Sequence, residues 1–364
     1  DTIGLICQYN SFFRIPYAIA LDNQRNYKMK AIGYLTQGTV EEQELQDIEL
    51  PLPSVSGHDL LVEVKAISVN PVDYKIHQST RPPSEQWKIL GWDAAGVVTA
   101  IGDQVQNFNI GDEVYYAGDL TRQGTNMEFH LVDERIVGRK PKNLDFAQSA
   151  ALPLTSITAW EMLFDRLCVQ HIRPHQTPSI LIIGAAGGVG SIAIQLLKAK
   201  TNLTIIATAS RPETQAWVKE LGADYVINHH LPLAEQITAL GLAAPSFVFS
   251  TTHTESYLPQ IVKLIAPQGH IGFIDDPKQL DIMLLKSKSI SAHWEMMFTR
   301  SLFQTPDMQQ QGELLNELAD MIEQTKIRST IDQVFGNINA ENLRTAHALL
   351  KQGTLKGKLV LAGF

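Results

Sequence analysis

Six residues, Ala185-Ala186-Gly187-Gly188-Val189-Gly190, stand between the apolar run Ile180 to Ile183 and an amphipathic repeat, and their types suit a backbone that must hold a diphosphate. In an A-x-G-x-x-G turn after a buried strand, Gly187 lets a pyrophosphate approach the main chain. Gly190 lets the next helix pack closely on the sheet, and free N–H groups at the helix start face the phosphates. Val189, Ile192, Ala193, Leu196 and Leu197 recur at i, i+3 and i+4, the spacing of one helical face. A glycine-rich strand-to-helix turn without any ligand has the same composition, so the surrounding elements decide between the two readings.

The end of the following strand selects the dinucleotide. "TASRPET" places Ala209, Ser210 and Arg211 where an NAD site carries Asp or Glu for the ribose 2′-hydroxyl, and no carboxylate precedes Glu213. Arg211 can form charge-assisted bonds to a 2′-phosphate, and Ser210 adds a hydroxyl. NADPH is therefore the expected cofactor. The plainer alternative has Arg211 and Pro212 opening a solvated helix.

Two rhythms in the chain supply the elements. From residue 60 to about 140, "LLVEVKAISVN", "AAGVVTAIG" and "GDEVYYAG" alternate with period two between glycine turns, which predicts antiparallel strands. From about residue 155, apolar strands near 180–184, 203–208, 225–228, 246–251, 270–274 and 287–293 alternate with helices. Six such strands predict an α/β fold with a doubly wound parallel sheet. Ligands of such sheets bind at the carboxyl ends of the strands. Main-chain groups near Thr251, in the Ser250 to Thr252 run, and near Ile274, in "FIDDP", are thus candidates for the nicotinamide half. A helix in "GELLNELADMIEQ" and strands in "TIDQVFG" and "GKLVLAGF" then read as a return to the first domain.

The 364 residues, 44% hydrophobic, suffice for one large or two ordinary domains. A formal charge of −8 argues against nucleic-acid or membrane-surface partners, which call for basic patches. Two cysteines, Cys7 and Cys168, build neither a disulfide framework nor a four-thiolate zinc lobe, and a cytoplasmic location is expected. "SFFRIPYAIALDN" has Arg14 inside it and no basic region before it, so residues 1–28 read as a leader of uncertain role rather than a secretory signal.

With the glycine turn following an all-β region, the chain resembles the medium-chain dehydrogenase/reductase superfamily, and its quinone oxidoreductase branch in particular. The resemblance runs through "SVNPVDYKI", "GWDAAGVVTAIGDQVQNFNIGDEV", "LPLTSITAWEML" and "GKLVL" from residue 29 to the end. "ASRPET" and "HWEMMFTRSLFQTPDM" are similar to zinc-type alcohol dehydrogenase-like proteins within that branch. It implies a Rossmann domain over 154–297, a GroES-like β-barrel catalytic domain over 29–153 and 298–364, and a homodimer.

Zinc members hold the catalytic metal through Cys, His and Cys, and the matching positions here are Asn70, Trp92 and Leu154. Zinc sites need thiolate or imidazole ligands, so no zinc is expected, even with Asp93 beside Trp92. His229 with His230, and His171 with His175, belong to no metal motif and read as loop histidines. Without a Lewis acid, the resemblance implies acceptors that take hydride easily, quinones or α,β-unsaturated carbonyls, aligned in a cleft that excludes water.

Thr158 matches a threonine beside the nicotinamide, or it only caps its helix. Asn70 offers an amide to the cofactor or the acceptor oxygen, or only orders its own turn. Trp92 offers a flat face, or is core. The hydroxyl and histidine of the zinc-type proton relay are replaced by Val72 and Lys75, leaving Lys75, Tyr74 or water as donor. Arg81 stands where enoyl reductases carry a tyrosine, and Asp73 matches an acid read as structural. "HWEMMFTRSLF" is either a pocket wall or a dimer contact. Two alternatives remain: a zinc alcohol dehydrogenase, and an NADPH-binding structural or sensor protein without turnover.

Overall fold

The computed structural model describes residues 27–39, 44–174 and 176–364. The expected leader, apart from Tyr27 and Lys28, lies outside the described residues, as does His175. Strands β1 (Lys28–Tyr34), β2 (Gln46–Pro51), β3 (Asp59–Ser68), β4 (Lys88–Ile89), β5 (Ala94–Ile101), β6 (Glu113–Tyr116), β7 (Phe129–Asp133) and β8 (Val137–Arg139) form the first part. Helix α1 (Pro71–Ser79) interrupts them, and α2 (Phe146–Ala150) and α3 (Pro153–Trp160) follow. Strand β3 is the hub: its Leu60, Val62, Val64, Ala66 and Ile67 are buried, and it pairs antiparallel with both β5 and β7.

The second part is the parallel sheet. Strands β9 (Ser179–Ile183), β10 (Thr204–Thr208), β11 (Tyr225–Ile227), β12 (Phe247–Ser250), β13 (His270–Phe273) and β14 (Ser291–Trp294) lie in the order β11-β10-β9-β12-β13-β14. Every pairing in it is parallel. Helices α4 (Gly188–Lys200), α5 (Pro212–Glu220), α6 (Leu233–Ala239) and α7 (Thr254–Leu264) make the crossovers. The sheet reverses between β9 and β12, where a crevice opens for a dinucleotide. The sixth strand begins later than the sequence suggests. Residues Ile282–Lys288 form a 3-10 turn instead, closed by Ser289 in the left-handed region, because the Lys286 to Ser289 stretch carries no apolar residue to bury.

After α8 (Thr299–Leu302) and α9 (Gln310–Glu323), the chain returns to the first sheet through β15 (Ile331–Gly336), α10 (Ala340–Lys351) and β16 (Lys358–Ala362). Strand β16 pairs antiparallel with β3, Val360 opposite Ser68. The return also touches the glycine turn directly: the Gly357 N–H donates to the Ala186 carbonyl at 2.9 Å, and Gly357 bridges Gly187. Trp217 of α5 adds a second seam, with Arg328 and Lys356 over its ring at 5.2 and 4.7 Å.

Candidate active site

Pro71 opens α1 and Asn70 precedes it in an extended conformation. The Asn70 N–H donates to Asp73 Oδ2 at 2.9 Å, so Asp73 closes the helix start and is structural. The Asn70 amide is 1% exposed and is spent internally. Its Nδ2 donates to Asp93 Oδ2 at 2.8 Å and to the Ser68 carbonyl at 3.3 Å, while Oδ1 accepts from Lys358 Nζ. This corrects the expectation of a free amide: Asn70 orders its surroundings and offers no spare donor.

Lys358 Nζ also donates to Asp93 Oδ2 at 3.1 Å and to the Val69 carbonyl at 2.9 Å, which uses all three ammonium hydrogens. Asp93 Oδ1 accepts from the Leu154 N–H at 2.8 Å. Burial pushes the Asp93 carboxyl up to about 6, against the opposing pull of Lys358, Asn70 and the Leu154 N–H. Four segments therefore meet at one buried polar knot.

The knot includes two of the three positions whose sequence matches zinc ligands, Asn70 and Leu154, and these residues do not fit zinc. Asn70 is fully hydrogen-bonded, Leu154 contributes only a main-chain N–H, and a buried ammonium stands where a divalent cation would be repelled. Trp92 is turned away. Its ring has no exposed surface, donates to the Asp119 carbonyl at 3.3 Å and meets Phe298 edge-on, so the structure places it in the core rather than at an open face. Among the described residues, no group of three or more His, Cys, Asp or Glu could hold a metal ion.

The glycine turn has the shape that a phosphate requires. A Cβ on Gly187 would meet only the Gly184 carbonyl, at 3.5 Å, leaving space above the main chain. A Cβ on Gly188 would stand 2.7 Å from Lys358 Cδ, so the stem of Lys358 lies against the turn. A Cβ on Gly190 would sit 2.5 Å from Ala185 Cα, which is the close helix-to-strand contact expected of that position. Val189 and Ala186 are half-buried against the main core.

Thr251 Oγ1 donates to the Ile183 carbonyl at 2.9 Å, fixing the end of β12 to the end of β9 beside the turn. Ile274 is half-buried just beyond β13. Thr158 donates to Leu154 within α3 at 2.8 Å and is 6% exposed. Lys75 pairs with Asp276 at 2.6 Å, across the two parts and in contact with solvent. Arg211 precedes α5, donates to the Thr354 carbonyl at 2.5 Å and pairs with Glu213 at 3.0 Å; Ser210 next to it is half-buried.

Two further groups are absent from the candidates that spacing suggests. Lys358 is one; its only signal is a charged residue opening a run otherwise made for burial. The other surrounds the π-helical turn Glu161–Arg166 that continues α3. There Glu161 and Glu295 are buried together, with Arg300 2.5 Å from Glu161 and Arg166 2.8 Å from Glu295. Burial first, and the neighbouring Glu161 second, push the Glu295 carboxyl up to about 8.

Residues 56–142 match the alcohol dehydrogenase GroES-like domain family, and residues 221–361 match a zinc-binding dehydrogenase family. A zinc-type alcohol dehydrogenase-like protein of Staphylococcus epidermidis is 39% identical over 336 residues, covering 92% of this chain and 99% of its own. Among solved structures, a Rhizobium etli protein named as a candidate zinc-dependent alcohol dehydrogenase is 58% identical, with a TM-score of 0.90 over 93% of this chain and 98% of its own. The quinone oxidoreductase of Coxiella burnetii is 28% identical, with a TM-score of 0.75 over 93% of this chain and all of its own. With such likeness carried through both parts of the fold, the chain belongs to the medium-chain dehydrogenase/reductase superfamily, among the zinc-type alcohol dehydrogenase-like proteins.

Proposed function

We propose that this oxidoreductase uses NADPH to reduce a quinone or an α,β-unsaturated carbonyl, without catalytic zinc. The observation that carries the reading is the buried Lys358 ammonium bound to Asn70, which matches one zinc-ligand position, and to Asp93, which neighbours another. A fixed organic cation there leaves no set of soft ligands to polarise a simple alcohol, whereas a conjugated acceptor brings its own electron sink.

When bound, the dihydronicotinamide supplies the hydride. The chain's own residues do the rest. Main-chain N–H groups of Ala186, Gly188, Val189 and Gly190 face the pyrophosphate, while that of Gly187 donates to the Gly184 carbonyl at 3.2 Å, and Ser210 and Arg211 receive the 2′-phosphate. Thr158, Thr251 and Ile274 border the nicotinamide end. Asn70 holds the floor of the cleft in place through Asp93 and Lys358. Lys75, the cation that spans the two parts, supplies the proton to the reduced acceptor.

The same reading takes the protein as a homodimer. Among the described residues β14 is the outer strand of its sheet, and Trp294 of β14, Met296 and Phe303 are 56%, 49% and 71% exposed. An outer strand and exposed apolar side chains of this kind would suit pairing with a second copy. The "HWEMMFTRSLF" stretch is then contact rather than pocket wall. No described helix is long and apolar enough to cross a membrane.

The deciding experiment is an NADPH-oxidation screen over quinones, enones, simple aldehydes and ketones, with and without a chelator. Turnover of the conjugated acceptors that ignores the chelator supports the reading. Chelator-sensitive turnover of simple aldehydes would return it to zinc chemistry, and tight NADPH binding without any turnover would favour the structural or sensor alternative.

A further inference from the structure

The "FIDDP" turn after β13 carries two neighbouring acids, and the structure spends them differently. Asp275 is committed to α7: its Oδ2 accepts from the Thr254 N–H at 2.7 Å and its Oδ1 from Thr254 Oγ1 at 2.5 Å, where an acid complements the first turn of a helix. Its carbonyl takes the Trp294 indole N–H at 3.2 Å. Beyond the turn, the Lys278 N–H donates to Glu255 Oε2 at 3.1 Å. Asp276 stands between these anchors, and Pro277 restricts its backbone to extended conformations. The loop is pinned on both sides, and none of the pins uses the Asp276 carboxylate.

That carboxylate meets Lys75, which comes from the other part of the fold. Pro71 and the Asn70–Asp73 contact fix the start of α1, and Lys75 lies one turn further on, where its Nζ donates to Asp276 Oδ2 at 2.6 Å. The two side chains are 44% and 75% exposed. Asp276 follows shortly after Ile274 at the carboxyl edge of the parallel sheet, and Lys75 shortly after Asn70, so the pair spans the cleft on the side where ligands of such a sheet bind. A pair this wet adds little stability. Its effect is on charge: either group alone sets a field at the cleft mouth, and together they cancel. The acid beside them is already bound to α7, and Lys278 has Glu255 at its main chain.

We propose that Asp276 is a specificity-determining residue, which neutralises Lys75 at the cleft mouth and so reserves the site for uncharged conjugated acceptors over anionic ones. The inference rests on the reductase reading above and adds a residue to which that reading gives no role. A cleft of one charge sign concentrates ligands of the other. Lys75 alone would do this for acidic quinones and unsaturated acids. Joined to Asp276 it presents a dipole, whose field fades faster with distance, so a neutral ring meets no penalty and an acid finds no gain.

The test compares two acceptors built on one naphthoquinone ring, the first neutral and the second carrying a sulfonate on its side chain, and reads the ratio of their kcat/KM values at saturating NADPH. The ratio cancels any change in folding, cofactor binding or hydride transfer that both acceptors share. Asp276→Asn frees the Lys75 charge, and the sulfonate-to-neutral ratio is expected to rise about fivefold, the attraction of unit charges a few ångströms apart in water. Lys75→Met leaves Asp276 alone, and the ratio falls by a similar factor even as turnover of both acceptors drops. The double variant returns to the wild-type ratio, because each change acts through the other's charge. Both shifts shrink to within about twofold in about 1 M salt.

An unchanged ratio in Asp276→Asn overturns the inference, as does a shift of the same sign in both single variants. A wild type that reduces neither acceptor instead removes the reductase reading, and the inference falls with it.

Discussion

Lys358 Nζ lies 3.1 Å from Asp93 Oδ2, and the two side chains are 4% and 0% exposed. Desolvating such a pair costs several kcal/mol per ion, which only good geometry and further hydrogen bonds offset. Both conditions hold, since Asn70, Val69 and Leu154 satisfy the remaining donors and acceptors. The pair ties the last strand to the start of α1, the entry to β5 and the start of α3. It is a fastening of the whole cleft floor.

Lys358→Met would leave Asp93 buried without its counter-ion, and the expected loss is about 3–5 kcal/mol in denaturant unfolding at pH 7.5. The sign with pH follows from the raised carboxyl. Without Lys358, Asp93 lowers its cost by taking a proton, so the deficit shrinks as the solution is acidified toward pH 5. Adding Asp93→Asn to Lys358→Met removes the stranded charge and should recover at least half of the loss. Strict additivity of the two changes would show the pair to be uncoupled.

Glu295 offers a second pH test. Its folded value is raised to about 8, so the stability it confers as a neutral acid is complete below the unfolded value of 4.5 and is lost as pH climbs through 8. Glu161 shares the environment, and Arg166 and Arg300 flank the two carboxyls. Glu295→Gln keeps the volume and never ionises. Its Tm should exceed that of wild type by at least about 1 °C at pH 8.5, a shift of about 1 kcal/mol for a chain of this size, and match it near pH 5. A constant offset across that range would contradict the assignment.

Lys75 separates stability from chemistry. A partly exposed ion pair such as Lys75–Asp276 contributes at most about 1 kcal/mol, so Lys75→Met should unfold within a few degrees of wild type. If Lys75 hands on the proton, kcat falls by about 10²-fold while the KM for NADPH stays the same. An unchanged kcat would take the proton from another donor.

Most of the parallel sheet was legible because β9 to β13 each carry a short apolar run, a pattern set by local spacing, whereas β14, Ser291–Trp294, carries none and starts later than expected. The buried knot was not, since Asp93 and Lys358 are 265 positions apart and neither belongs to a local pattern. Trp92 illustrates a different failure. In extended backbone, neighbouring side chains point to opposite faces, so Asp93 facing the knot sends Trp92 into the core. Helix α10 carries Leu343 and Ala346 inward at helical spacing, and period counting alone could have found it.

The glycine turn allows ligand binding and folding to be told apart at two positions of one motif. Gly187 has φ of −71°, which any residue adopts, and an added Cβ meets nothing closer than 3.5 Å. Gly187→Ala should therefore unfold like wild type, within about 0.5 kcal/mol, while NADPH binding weakens at least tenfold because the methyl occupies the phosphate's approach. At Gly190 the added carbon would press on Ala185 at 2.5 Å and force α4 away from β9. Gly190→Ala should cost about 1–3 kcal/mol with no ligand present. Calorimetric titration and thermal unfolding of the two variants, side by side, check the division. If Gly187→Ala binds NADPH as wild type does, the pyrophosphate is not seated on this turn.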